Sequence, residues 1–155
     1  PPPPPPPEPV QETRSLAEFL ASEIEEGLVE VFAAGNALTV RLTGAAIFAP
    51  ASDTLAPRFV AVVERVAQAL EAEPGRVIVA GHSDSQPIRT ARFPSNLALS
   101  LARAQSVMKR IEAVLTDPSR LTAEGRAAEE PIADNATAEG RARNRRIEIL
   151  LVKAG

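Results

Sequence analysis

"RVIVAGHSDSQPIRTARFPSNLALSLARA", residues 76–104, decides the fold. It opens on a short continuous apolar run, Arg76 to Gly81, preceded by the breaker "EPG" at 73–75. That is the pattern of a central strand covered on both faces. It closes on a helix. Pro94 and Ser95 supply a start signal, and Leu97, Leu101, Ala104, Met108, Ile111 and Leu115 recur at helical spacing. A helix is therefore expected over residues 95–115 with these six as its core stripe. Between strand and helix lies a polar loop. It holds the only histidine, His82, an isolated carboxylate, Asp84, and the sequence Phe-Pro-Ser-Asn at 93–96.

The same reading extends in both directions. "SLAEFLASEIEEG" predicts a short amphipathic helix, with Ser15 and Glu18 at capping-box spacing, Leu16, Phe19, Leu20 and Ile24 on one face, and Gly27 as C-terminal cap. "LVEVFAAGNALTVRL" predicts a hairpin in which Val29 and Val31, then Leu38, Val40 and Leu42, alternate with polar neighbours around "AGN". "GAAIFAPASDTLAP" reads as loop. A second helix follows, with Phe59, Val62, Val63, Val66, Ala69 and Leu70 on its apolar face. Beyond the central segment, "SRLTAEGRA" reads as an edge strand and "EEPIADNATAEGRARN" as loop with a brief helix. "RRIEILLV" closes the sheet, with Ile147, Ile149 and Leu151 on one face. The expected architecture is an α/β (α+β) sandwich with one mixed sheet, two main helices packed on one of its faces, and a short N-terminal helix in front.

Composition bounds the function. The chain has 155 residues, net charge −3 and no cysteine, which excludes disulfides and thiolate metal sites. An acidic balance with five Phe and neither Trp nor Tyr lacks the basic footprint and stacking platform of a nucleic-acid binder. No window is long and apolar enough for a membrane span. The proline-dominated start predicts an extended spacer, so residues 1–13 are expected to be linker and 14–155 one domain. The chain begins with Pro, which reads as a fragment or processed product with a signal or anchor lost upstream.

On an ideal helix Asn96, Ser100 and Arg103 share a face beside the core stripe, aimed back toward the preceding loop. Asp84 sits just past a strand end, where open α/β sheets gather ligands. Two readings are open from spacing. Asp84 and Arg103 could grip an amino acid, the carboxylate meeting an ammonium and the guanidinium a carboxylate; or the pair could tie loop to helix. A single histidine without clustered partners does not make a metal site. His82–Ser83 is no catalytic pair, since adjacent side chains on an extended segment diverge. In "GRARNRR", Gly140–Arg146, Asn144 and Arg145 stand where the brief helix meets the last strand and could border the same pocket as Arg103.

Three ordered motifs now carry a resemblance: "GHSD" at 81–84, "NLALSLARA" at 96–104 and "GRARNRRIE" at 140–148. They resemble the Gly-His-Thr-Asp, Asn-x-x-Leu-Ser-x-x-Arg-Ala and Gly-Arg-x-x-Asn-Arg-Arg-hydrophobic-Glu motifs of the OmpA-like peptidoglycan-binding domain. Ser83 departs from the usual Thr but keeps the hydroxyl. The resemblance implies the βαβαβ(α)β fold of that family and a non-catalytic module without cofactor or metal. It also implies a ligand site in which Asp84 and Arg103 clamp the diaminopimelate of the stem peptide, with Asn96, Arg145 and Ser83 bordering it. The lengthened loop "SDSQPIRTARFPSN" and the leucine-rich lead helix resemble the periplasmic domains of TssL-type proteins of type VI secretion, and next the MotB-type flagellar stator proteins. The implied setting is the periplasm. The implied partners are peptidoglycan, other subunits of a membrane secretion complex and a second copy of the chain, with contact to the membrane only through an upstream anchor. A related domain that serves assembly without binding the wall is the alternative. Treatment with a chelator is expected to leave melting temperature and wall binding unchanged; a fall in either would restore a metal role for His82.

Overall fold

The computed structural model describes residues 9–42, 47–49, 51–88 and 90–152. The expected proline spacer at 1–8 lies outside them. The elements run α1 (Pro9–Phe19), α2 (Ala21–Glu25), β1 (Val29–Ala34), β2 (Ala37–Leu42), α3 (Pro57–Glu71), β3 (Arg76–His82), α4 (Asn96–Glu112), β4 (Leu121–Ala127), α5 (Ala138–Asn144) and β5 (Arg146–Val152), with a 3₁₀ turn at Pro118–Arg120 before β4. The five strands form one mixed sheet in the order β1-β2-β5-β3-β4. Only β3 and β4 run parallel, joined by the crossover helix α4; the other neighbours are antiparallel. This is the α/β sandwich expected.

The first helix starts earlier than its sequence signals suggest. Ser15 was expected as the N-cap, yet α1 begins at Pro9, inside the stretch read as linker, and runs through Ser15. Proline is tolerated in a first helical turn, where its missing N–H would have no intrahelical partner. The helix breaks at Leu20, which is fully buried, and resumes as α2. Gly27 ends it as expected: with φ 76, it donates to Ile24 O, and Leu28 N–H donates to Glu23 O, the paired bonds of a Schellman cap. Arg65 fastens this lead segment to α3. Its Nε donates to Glu23 Oε1 at 2.6 Å, its Nη2 to Phe19 O at 2.6 Å, and its guanidinium lies over the Phe19 ring.

One face of the sheet carries the core. Leu38, Val40 and Leu42 of β2, Val77 and Val79 of β3, and Ile147, Ile149 and Leu151 of β5 are all buried there. Leu16 and Leu20, the expected face of α3, and Ala104, Val107 and Ile111 of α4 pack onto them. The core stripe of α4 differs from the expected one. Leu97 is 54% exposed and Leu101 and Met108 are only half-buried, while Leu99, Ser100 and Val107 take the interior positions. The cause is two glycines. Gly81 and Gly125 are register partners on β3 and β4. A Cβ on Gly81 would stand 2.1 Å from Ser100 O, and one on Gly125 would stand 2.8 Å from both Cβ and N of Leu101. The helix backbone lies directly on the sheet at this point, so the residues beneath it are set by that contact and not by the leucine period.

On the other sheet face Ala80 and His82 of β3 are buried and Ile78 is half-buried, so β3 is covered there too. Part of that cover is polar. Glu30, Arg41, Glu148 and Ala80 are successive cross-strand partners on this face. Glu148 Oε2 accepts from Arg41 Nε at 2.9 Å and Arg146 Nε at 3.0 Å, and His82 Nε2 lies 3.4 Å from Glu148 Oε1. Burial alone would push the Glu148 carboxyl up. The adjoining His82, the hydrogen bond and charge of Arg146 and the hydrogen bond of Arg41 outweigh it and hold the group well below the carboxylate range.

Gly81→Ala and Gly125→Ala are each expected to lose about 2 kcal/mol or more in urea unfolding, because backbone atoms of α4 must move away. The depressed Glu148 carboxyl contributes stability that is complete above its unfolded value, near 4.3, and is lost as pH falls toward its folded value. Glu148→Gln is expected to cost about 3 kcal/mol at neutral pH by leaving buried guanidinium charge without its partner, and to flatten the acid limb of a stability-against-pH curve.

Candidate functional site

The parallel pair β3–β4 and the start of α4 leave a cleft at the C-terminal end of β3, where crossover topologies open a binding crevice. A cavity of about 420 Å³ stands there, within the size range of small-molecule clefts. Asp84, Arg103, Asn96, Arg145 and Ser83 all line it, so the structure brings these five candidates to one place.

Asp84 leaves the end of β3 and is 6% exposed. Its Oδ1 accepts the Gln86 N–H at 2.9 Å, a turn that starts the loop toward α4. Its Oδ2 accepts from Arg145 Nη1 in a close ion pair. Asp84 is therefore bound to Arg145, and of the two readings left open by spacing, the direct tie between Asp84 and Arg103 is not made. Arg145 follows α5 directly, and the packing of α5 at the end of β5 brings it across to the cavity. Arg103 projects from the middle of α4 and donates from Nε to Ser52 O at 2.7 Å and from Nη2 to Ala49 O at 3.1 Å, with the Phe48 ring at 5.0 Å. Burial holds the Arg103 guanidinium below its ordinary value and Arg145 adds to this, while Asp53 and Asp84 act in the opposite sense. The group stays cationic, since its ordinary value lies far above neutrality.

Asn96 sits at the first turn of α4, capped by Ser95, whose side chain accepts from Ala98 N–H. Its Nδ2 donates to Gln86 O at 2.8 Å, bracing the loop that Asp84 begins. The Ser83 hydroxyl donates to Asp84 O at 3.0 Å and is buried, so it shapes the turn under the carboxylate. Asn144, read as a pocket-border residue, is not one. It is fully buried, accepts from Ile132 and Ala133 N–H at 2.7 and 2.9 Å, and donates to Ala133 O and Asn135 Oδ1 at 3.0 and 2.9 Å. It fastens the loop before α5 and so positions the helix from which Arg145 leaves.

Several lining residues escaped the sequence reading. Ile47, Phe48, Pro87 and Ile88 give the cavity an apolar wall, and Leu99 and Ile147 an apolar base. Their only signal was the presence of apolar pairs inside segments that read as polar loop. His82 also lines the cavity, 3% exposed, and neither ring nitrogen has a hydrogen-bond partner among the described residues. Among the described residues no group of His, Cys, Asp or Glu could hold a metal ion, and no helix is long and apolar enough to cross a membrane. Asp84 is the one carboxylate lining the cavity among the described residues, against Arg103 and Arg145, while Arg146 is turned to Glu148. Two guanidiniums facing one carboxylate suit a ligand with at least one carboxylate of its own, and the Asp84 oxygens offer a place for an ammonium.

The sequence and the fold have relatives among known proteins. The solved structure of the cell wall anchor of the T6SS from Pseudomonas aeruginosa superposes with TM-score 0.83 at 47% identity, covering 90% of this chain and 97% of that one. Motility protein B of Bacillus subtilis is 30% identical over 151 residues, 96% of this chain and 58% of that protein. Outer membrane protein A of Bordetella avium is 43% identical over 100 residues, 64% of this chain and 50% of that protein. The chain thus spans little more than half the length of these two relatives. The OmpA family signature matches residues 47–145, from the loop held by Arg103 to the arginine paired with Asp84, and the chain belongs to that family.

Proposed function

We propose that this domain is a non-catalytic peptidoglycan-binding module of the periplasm that anchors a type VI secretion complex to the cell wall. The observation that carries the reading is the cleft itself, where Asp84, Arg103 and Arg145 converge on one cavity beside an apolar wall. The ligand chemistry that fits is a free amino-acid centre on a peptide, the diaminopimelate of the stem peptide. Its ammonium meets Asp84, and its carboxylate meets the guanidiniums of Arg103 and Arg145. Because Asp84 already accepts from Arg145, the ligand joins an existing ion pair and, with Arg103, converts it into a five-charge cluster. Asn96 and Ser83 act behind this cluster, by holding the turn that presents Asp84. The reading draws support from the 47% identity to a protein described as the cell wall anchor of the T6SS. The match to Motility protein B along most of the chain supports a second reading, a stator-type anchor, which keeps the same ligand and changes only the complex that is anchored. Other subunits of the complex and a second copy of the chain are the further partners of either reading.

Sedimentation of the purified chain with insoluble peptidoglycan tests the proposal. Asp84→Asn and Arg103→Ala are each expected to weaken binding by about tenfold to a hundredfold, the value of one or two charge-assisted contacts. Binding is also expected to fall with added salt, as for any partly exposed charged site. If both variants are folded by circular dichroism and sediment with the wall as the parent does, the cleft is not the wall site.

A further inference from the structure

Arg103 has two sets of partners to serve, and the way it divides its donors assigns a role to a segment the binding reading leaves out. We propose that the backbone carbonyls of Ala49 and Ser52 are positioning groups: they occupy the side-on edge of the Arg103 guanidinium and so leave the end-on edge, Nη1 with Nη2, to receive the ligand carboxylate. This inference rests on the binding reading above.

The donors that face the turn are Nε, on Ser52 O at 2.7 Å, and Nη2, on Ala49 O at 3.1 Å. These two nitrogens form one of the two forks by which a guanidinium can grip a carboxylate. Both prongs are filled by backbone carbonyls, and the Phe48 ring at 5.0 Å adds an aromatic contact to the guanidinium. A ligand could displace this arrangement only if the segment were free to leave. Its described residues are held at several points. Phe48 and Leu55 form a bridge at its base, and Ala56 N–H donates to Ile47 O at 2.9 Å. Ile47 and Leu55 are buried in the core. Asp53 pairs with Arg92 of the facing loop at 3.0 Å.

The turn itself is shaped for the task. Ser52 N–H donates to Ala49 O at 3.1 Å, and Ala51 has φ 53. A φ of this sign is costly for any residue but glycine, and Ala51 holds it beside the two residues whose carbonyls meet Arg103.

The test uses the 155-residue chain and a soluble disaccharide tripeptide ending in diaminopimelate, titrated calorimetrically. Ala51 is exposed, and proline cannot adopt its positive φ, so Ala51→Pro turns the carbonyls away while leaving the core untouched. It is expected to weaken binding at least about tenfold in a domain that circular dichroism shows to be folded, the size of one charge-assisted contact. Ala51→Gly, which removes the methyl and keeps the φ, is expected to restore binding to near the parent level. Asp84→Asn serves as the reference. If it weakens binding and Ala51→Pro does not, the positioning role is wrong and the site reading survives; if neither weakens binding, both are wrong. A measurement on the parent decides the matter even if Ala51→Pro does not fold. The Arg103 Nε–H proton is expected to exchange slowly with solvent in both free and bound states, because the Ser52 bond persists. Rapid exchange on adding the muropeptide would mean that the ligand takes the side-on edge, and would overturn the proposal.

Discussion

The arrangement depends on one contact: the backbone of α4 pressed onto the sheet at Gly81 and Gly125. No side chain separates helix from strand there. With Ser100 seated over Gly81, the hydroxyl of Ser100 reaches Ala127 N–H, just past the point where the β3–β4 register slips. Asn96, Leu99 and Arg103, at spacings of three and four, then fall on the side of the helix that faces the cleft. A helix lifted by one methyl from either strand would carry Arg103 away from the carbonyls of Ala49 and Ser52 and from Asp84. The glycine of "GHSD" is thus as much a part of the site as the aspartate three residues later, although it touches nothing but backbone.

Much of this was legible in the sequence because the signals were local. The α3 face, the alternation in β2 and β5, the turn at Gly35 and the cap at Ser95 each follow from residues within a few positions of one another, and each stands in the structure as read. What escaped was what depends on distant partners. The leucines of α4 promised a stripe through Leu97 and Leu101, but Gly81 and Gly125, in two other elements, rotate the buried face toward Ser100 and Val107. The apolar run of β3 promised cover on both sides without saying what supplies it; on the second face part of that cover is Arg41, Glu148, Arg146 and His82, which come from β2, β3 and β5. No window along the chain contains that cluster.

The site divides in the same way. The positions of Asp84 and Arg103 relative to a strand end and a helix face follow from periodicity, and they locate the cleft. Their partners do not. Asp84 accepts from Arg145, far along the chain, because α5 packs where β5 begins; Arg103 reaches a loop whose only sequence mark was a pair of apolar residues, Ile47 and Phe48. Asn144 shows the limit most plainly. Its place beside Arg145 suggested a shared pocket, but an amide with four well-placed backbone and side-chain partners is more useful as an internal fastening, and it is fully buried.

The arginines explain how an acidic chain of net charge −3 comes to hold a positive cavity. Arg41 and Arg146 meet Glu148 across the sheet, Arg65 meets Glu23, and Arg126 meets Glu124 and Glu130. Arg120 spends its donors on the carbonyls of Gly75, Leu70 and Glu73 at the end of α3, where exposed helix carbonyls favour a cation. Each of these is satisfied by protein and ties one element to another. Arg103 and Arg145 are placed differently, on either side of a cavity that offers them one carboxylate between them. Their mutual repulsion, which contributes to holding the Arg103 guanidinium below its ordinary value, is a standing cost in the unliganded domain. A ligand that brings a carboxylate between them removes that cost as well as adding its own hydrogen bonds, whereas a ligand that brings only an ammonium meets Asp84 and leaves the repulsion in place. On the proposed reading, the cleft would discriminate by where it leaves charge uncompensated, and the arginines tied up elsewhere in the fold are not offered to the same ligand.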